Sequence, residues 1–346
     1  MTAVPLPEFG DPDVLRMTEL PVPRPGPGEV LVRVGAVSVG RTLDVATRAG
    51  GLPFSRLVSL PHVLGADHAG TVAALGPGGA GPPPGTRVAA FPVLVCGDCD
   101  GCEDGRPETC ARLELLGVHR PGAYAQFCVV PEENLYPVPD DVSDEQAAAL
   151  ALNGAVAVRQ LAEAALRPGD WVLVPAAAGA LGSAVVTLAR RRGIRIAAGT
   201  RHAAKHRRLQ QIGADLVLDP ADPGTPARLA EATGGRGVRA IIDNVADPAM
   251  WPAVADVLAP GGTVVCSGAL GPARVQLDLR RMYLRSQSIR AVRTARPADA
   301  VALWKEVAAG FRVPLDPRPF TLAGAAAAHR HVESDAGFGR VVLSVP

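Results

Sequence analysis

Along roughly the first 140 residues, apolar positions recur in short alternating runs. Residues 29–37 (EVLVRVGAV) follow the Pro/Gly-rich PVPRPGPG, and 70–75, 87–91 and 124–130 are further runs bounded by Gly and Pro. Alternation with period two lets a strand bury one face, while Gly and Pro mark its ends. Many short strands between turns predict a barrel or irregular sandwich. The pattern changes near Ser143. Ser143 and Gln146 have the spacing of a capping box, which predicts a helix running to residue 166. Beyond it, predicted strands at 171–174, 194–199, 215–218, 240–243 and 263–267 alternate with predicted helices at 182–192, 203–212, 226–233 and 250–258. That alternation predicts a parallel sheet with helices on both faces. The remaining chain returns to mixed character and ends on a predicted strand at 340–345.

A chain of 346 residues is too long for one compact core and suits two domains. At 48% apolar and 20% charged it reads as globular. With 35 Lys+Arg against 34 Asp+Glu, the formal charge of +1 gives no broad attraction for nucleic acid or an anionic membrane. The longest uncharged stretch, 171–189, contains Pro175, Gly179 and Gly182, with charge close on both sides. It reads as a buried strand, a turn and a helix rather than a membrane span. The N-terminal segment has neither an apolar signal core nor a basic amphipathic presequence, so the cytoplasm is the expected compartment.

Four of the six cysteines, Cys96, Cys99, Cys102 and Cys110, fall in one loop with the spacing C-x2-C-x2-C-x7-C. In a cytosolic chain, thiols clustered in this way point to metal and not to disulfides. Four thiolates complete a tetrahedral zinc shell and leave no position for water or substrate. One structural zinc ion per chain is therefore expected.

The turn after the 171–174 run reads PAAAGALGSAVV. Against G-x-G-x-x-G its positions are Ala177, Gly179 and Gly182. Gly179 lets the backbone approach a pyrophosphate, and Gly182 lets the helix pack closely on the strand. Ala180 and Leu181 complete this candidate cofactor-binding turn, and the N-terminal N–H groups of the helix that follows suit phosphate. The next predicted strand ends in GTRHAAK, with Thr200, Arg201 and Lys205 but no acid to hold a ribose 2′-hydroxyl. A hydroxyl, a guanidinium and an ammonium suit a 2′-phosphate, which predicts NADPH. The other reading of the same residues is a solvated basic helix start.

With these features in place, the chain resembles the medium-chain dehydrogenase/reductases, which include zinc alcohol dehydrogenases and quinone oxidoreductases. The resemblance rests on FGDPDVL (9–15), PGPGEVLVRV (25–34), PHVLGADHAGTV (61–72), the cysteine lobe, GAYAQFCVVP (122–131), AAAGALG, IGADLVLD (212–219), LAPGGTVVCSG (258–268) and GRVVL (339–343). It implies an α/β fold in which a GroES-like β-rich catalytic domain, residues 1–142 and 286–346, carries an inserted Rossmann NADPH-binding domain, residues 143–285.

Alcohol dehydrogenases of that family hold a second, catalytic zinc. Its ligands are a Cys three residues before an Asp, the His of a Gly-His-Glu triplet, and a Cys in the helix after the capping box. Here these positions fall on Arg41 (or Gly40 with a one-residue slip), on Ala66 within Gly65-Ala66-Asp67, and on Leu152, so all three ligands are missing. Reducing an isolated ketone then lacks a Lewis acid for the developing alkoxide. A conjugated acceptor spreads that charge over several atoms, and a few hydrogen bonds suffice.

The resemblance therefore implies NADPH-dependent reduction of a quinone or an α,β-unsaturated carbonyl, with Arg41, Thr42, Asp67 and His68 as candidate catalytic residues. Arg41 either binds a substrate oxygen or pairs with Asp44 or Asp67. His68 is either a proton donor or a satisfied core histidine. No tyrosine lies within residues 41–67 to serve as an acid. On the cofactor side the resemblance implies Asn244 at the ribose or nicotinamide, Gly268, Ala269 and Leu270 at the carboxamide, and Phe338 and Arg340 closing over the cofactor. Two other readings stand beside this one. One is a zinc alcohol dehydrogenase with Asp44, Asp67 and His68 as substitute ligands, and the other is a non-catalytic NADPH-binding sensor or scaffold. The expected partners are a small-molecule substrate and further copies of the chain, as a homodimer or homotetramer paired around residues 275–292, with no nucleic acid and no membrane.

Overall fold

A computed structural model describes residues 1–248, 251, 256–269 and 273–346. The chain forms two compact units, Met1–Ala155 with Arg296–Pro346, and Val156–Ala295.

The first unit is built on a seven-stranded sheet. Its strands β1 (Glu29–Ser38), β2 (His68–Leu75), β3 (Arg87–Ala90), β4 (Phe127–Pro131) and β5 (Leu135–Pro137) are joined by two late ones, Phe320–Thr321 and Val342–Ser344. The order is β5, β3, β2, β1, Val342–Ser344, Phe320–Thr321, with β4 also pairing with β1. The alternation in EVLVRVGAVS does its work here: Val30, Val32 and Val34 point into a core shared with Val72, Val88 and Leu343. Register shifts between Leu31 and Val32 and between Val34 and Ala36 bend β1 across this core. At Gly70 a Cβ would stand 2.0 Å from the Arg33 carbonyl, so only glycine lets β2 lie this close to β1.

The second unit is a six-stranded parallel sheet. Its strands are β6 (Trp171–Val174), β7 (Arg195–Gly199), β8 (Leu216–Leu218), β9 (Val238–Ile242), β10 (Leu258–Cys266) and β11 (Ser288–Ala291). The order is β8, β7, β6, β9, β10, β11, all parallel, so every carboxyl end lies along one edge. The order reverses at β6, between β7 and β9, and in sheets of this kind ligands bind at that point. Continuous apolar runs such as WVLV reflect burial on both faces.

The two compact units meet in the chain at residues 155/156 and 295/296. Helix α1 (Asp144–Leu150) packs on β1 and β2 and belongs to the first sheet. Strand β11 pairs with β10 and belongs to the second. The single helix expected to residue 166 is two, α1 and α2 (Asn153–Ala164). Ser143 caps α1 by accepting from the Gln146 N–H at 3.2 Å. The Gln146 side chain does not return to the cap but bonds the backbone of Val313, so half of the capping box forms. The helix expected over 203–212 is a short 3₁₀ turn followed by His206–Gln211. The one expected over 250–258 falls largely outside the described residues. No described helix is long and apolar enough to cross a membrane.

Candidate functional site

In the second unit, the turn after β6 leads into α3 (Ala180–Arg191). A Cβ on Gly182 would lie 2.1 Å from the Ala176 carbonyl, which is why only glycine lets α3 sit against the turn. A Cβ on Gly179 would meet only that carbonyl, at 3.6 Å, so this position is open to an approaching ligand. Ala177 is buried and ties the turn to β7 through its N–H to the Gly199 carbonyl at 3.0 Å. Gly179 stands at the N-cap with no side-chain cap, so the leading N–H groups of α3, from Ala180 and Leu181 onward, face outward at the positive end of the helix dipole.

At the end of β7, the Thr200 N–H bonds the Leu218 carbonyl at 3.0 Å, and its hydroxyl accepts from the His202 N–H at 3.2 Å. Arg201 is exposed and Lys205 half-buried beyond it. No Asp or Glu occurs between residues 196 and 214. The ends of β9 and β10 meet through side chains. Asn244 Oδ1 accepts from the Ser267 N–H at 3.0 Å and from Gln160 Nε2 at 2.7 Å, and that Nε2 also reaches Ser267 Oγ at 2.9 Å. Gln160, fully buried on α2, carried no signal in the sequence: a lone amide in an Ala-rich helix matches no motif. Gly268 is half-buried and Ala269 exposed, while Leu270 lies outside the described residues.

In the first unit, residues Arg41–Ala46 form a π-helical turn. The N–H groups of both Asp44 and Val45 bond the Gly40 carbonyl at 3.0 Å, the signature of one residue more than an α-turn holds. Arg41 pairs with neither Asp44 nor Asp67. Its guanidinium bonds the Val332 carbonyl and Asp335 at the end of the helix Ala325–Glu333. Thr42 is exposed. Asp44 is buried and accepts from the N–H of Gly40 at 2.6 Å and of Gly65 at 2.9 Å; burial pushes its carboxyl up to about 7. Asp67 is equally buried, bonded by the Ser38 hydroxyl at 3.2 Å and ion-paired with Arg340. Burial pushes its carboxyl up while Arg340 pulls it down.

The Arg340 side chain, expected at the cofactor, is thus committed to Asp67. Phe338 is buried, with its N–H on Asp316 at 2.9 Å. A Cβ on Gly40 would lie 3.0 Å from Asp44 Oδ2 and 3.6 Å from Arg340 Nη2. His68 is fully buried with Nδ1 3.2 Å from the Ala66 carbonyl; burial holds its ring down to about 4, so it is neutral near pH 7 and has no proton to give as an imidazolium. Tyr124, distant in sequence, packs against Gly65, and its hydroxyl meets His329 Nε2 at 2.9 Å. Asp67 Oδ1 and His68 Nε2 are buried with no hydrogen-bond partner among the described residues, yet Asp44, Asp67 and His68 do not bring their donor atoms together as a metal-holding group.

The cysteine lobe behaves differently. Sγ separations of 3.4 Å (Cys110–Cys96), 3.7 Å (Cys99–Cys102) and 3.9 Å (Cys96–Cys102) bracket the edge of about 3.8 Å that zinc–sulfur bonds of about 2.3 Å impose on a tetrahedron. All four Sγ atoms lie within 4.8 Å of one another, and this is the only such donor group among the described residues. The donor set and spacing fit a structural zinc.

Residues 26–140 match the family described as alcohol dehydrogenase GroES-like domain, and residues 180–309 the zinc-binding dehydrogenase family. A solved structure described as an NAD-dependent alcohol dehydrogenase is 36% identical, with all of both chains covered and a TM-score of 0.93. A mycobacterial protein solved in complex with NADPH is 32% identical over 99% of each chain, with a TM-score of 0.80. A curated alcohol dehydrogenase from Rhizobium meliloti (strain 1021) is 32% identical over 84% of this chain and 83% of its own.

Proposed function

Because the chain belongs to the medium-chain dehydrogenase/reductase family and is an oxidoreductase of that family, we propose that it is an NADPH-dependent reductase of a quinone or an α,β-unsaturated carbonyl that works without a catalytic zinc. The observation that carries this reading is the surroundings of Gly40. The surplus residue of the π-turn supports the reading with a one-residue slip, in which Gly40 rather than Arg41 stands at the family's cysteine position. A side chain there would meet Asp44 and the Arg340–Asp67 pair. Ala66 and Leu152 at the other two positions offer no donor.

When bound, the dinucleotide supplies a hydride. The chain's own residues hold its phosphates on the leading N–H groups of α3, beside Gly179, and its 2′-phosphate with Thr200, Arg201 and Lys205. The mycobacterial relative solved with NADPH favours this choice, while the relative described as NAD-dependent makes it worth testing. Asn244, Gly268 and Ala269 take the nicotinamide half. His68, Phe338 and Arg340 serve the architecture of the first unit, which leaves Thr42 as the one side chain of the expected catalytic set that is exposed and has no side-chain partner among the described residues. Exposed Leu279, Tyr283, Leu284 and Ile289 on the helix Leu279–Leu284 and the edge strand β11 favour a homodimer or homotetramer, in a cytoplasm that keeps the lobe thiols reduced.

The test is consumption of NADPH and NADH against a panel of quinones, enones and simple ketones, with metal measured on the same sample. Oxidation of NADPH by quinones or enones at about one zinc per chain supports the reading. Ketone or aldehyde reduction at about two zinc per chain overturns it.

A further inference from the structure

Gln160 has a cost that packing alone does not explain. It is fully buried within an Ala-rich stretch of α2, and its Oε1 has no hydrogen-bond partner among the described residues. A buried acceptor left unmatched is unfavourable, and an apolar residue of similar size would avoid it. Its Nε2, in contrast, is used twice, on Asn244 Oδ1 at 2.7 Å and Ser267 Oγ at 2.9 Å. The orientation of this network follows from the main chain. The Ser267 N–H can only donate, so the Asn244 atom facing it at 3.0 Å is the oxygen. The atom of Gln160 facing that oxygen must then be its NH₂ group, and the amide cannot be flipped to satisfy Oε1 without setting two oxygens together.

The place is as specific as the bonding. Asn244 follows β9 and Ser267 follows β10, both at the carboxyl edge and on the opposite side of β6 from the phosphate turn's partner β7. A dinucleotide lies across such a reversal with one mononucleotide on each half, so β9 and β10 face the nicotinamide half. We propose that Gln160 is a positioning residue: it locks the Asn244 side chain with Oδ1 turned inward, so that the Asn244 NH₂ is presented as a fixed donor to an acceptor oxygen of the nicotinamide half. This rests on the reading of the chain as a nicotinamide-dinucleotide enzyme.

A double-mutant cycle on the full chain tests it, with Gln160→Met, Asn244→Ala and the pair. The readout is affinity for NADPH and NADH, and for 2′,5′-ADP (ADP if NADH binds tighter), which lacks the nicotinamide half. Each single change should weaken the dinucleotide about tenfold, the pair also about tenfold rather than a hundredfold, and the adenosine fragment should bind as before. Losses that multiply, an unchanged dinucleotide affinity, or an equal loss of fragment binding (a general structural effect) would each overturn the proposal. Wild-type protein that binds neither dinucleotide sinks the parent reading as well, whereas wild type that binds one, with Gln160→Met unaffected, sinks this inference alone.

Discussion

The cysteine lobe and the polar cluster around Asp44 sit in the same unit and carry opposite chemistry. In the lobe, four sulfurs converge within 4.8 Å of one another, a donor set that suits an ion. In the cluster, both oxygens of Asp44 accept backbone N–H groups, and Asp67 Oδ2 takes a serine hydroxyl and the Arg340 guanidinium, while Asp67 Oδ1 is left without a partner among the described residues. Acidic side chains near an expected metal position thus say little until their partners are known. Convergence of several donor atoms on one centre is what separates a metal site from a buried ion pair.

Four measurements break or sharpen that contrast. The largest effect belongs to the lobe. Cys102→Ser, or removal of the metal by a chelator, should drop bound zinc from about one per chain to near zero and destabilise the lobe severely, since structural zinc contributes on the order of 10 kcal/mol to folding; elemental analysis with calorimetry reads both, and retention of full zinc would show that the four thiols are not its ligands. Next comes Arg340→Ala, which strands Asp67 as an uncompensated buried charge. Urea unfolding should show a loss of about 3–5 kcal/mol, while replacing the pair by apolar residues of similar volume should restore much of it; zinc content should not change in either variant.

The third effect is a pH dependence. The Asp44 carboxyl is raised from 3.8 to about 7 by burial. Between those values the folded state holds a proton that the unfolded state has lost, so this contribution to stability is complete below about pH 4 and fades as pH rises through 7. Buried His68 and His329, pushed down to about 4 and about 3, act in the opposite direction. The difference between wild type and Asp44→Asn isolates the carboxylate: the wild-type advantage at pH 5 should shrink by pH 8, and a constant gap would mean that Asp44 is ionised throughout. The smallest effect is Arg41→Ala. Its partner Asp335 is 49% exposed, so the loss should stay below about 1 kcal/mol, and activity should persist. A collapse of kcat would restore Arg41 to the substrate.

What the sequence disclosed, and what it did not, follows the range of the interactions. The cysteine lobe and the phosphate turn are local: their spacing encodes the geometry, and each lies within fifteen consecutive residues. The alternation of strand and helix signals gave the parallel sheet for the same reason. The Asp67–Arg340 pair, by contrast, joins positions 273 apart, and the Gln160 network draws on three separate elements. Nothing in either stretch alone announces the other. The fate of Arg41 was likewise invisible, because the helix Ala325–Glu333 that captures it is distant in the chain. Tyr124 escaped a search of residues 41–67 because its proximity to Gly65 is a product of folding. The break between α1 and α2 and the half-made capping box show a further limit: Gln146 had a better long-range partner in Val313.

The wide turn at Arg41–Ala46 has a bearing on how such a chain could change its trade. One surplus residue there acts as slack, letting the segment upstream of Asp44 rotate by roughly a third of a helical revolution while everything downstream keeps its seat. Excising a single codon, for instance that of Leu43, would tighten the coil and swing a different side chain toward the Asp67–Arg340 pair, so the chemistry lining that corner is adjustable by length as well as by substitution.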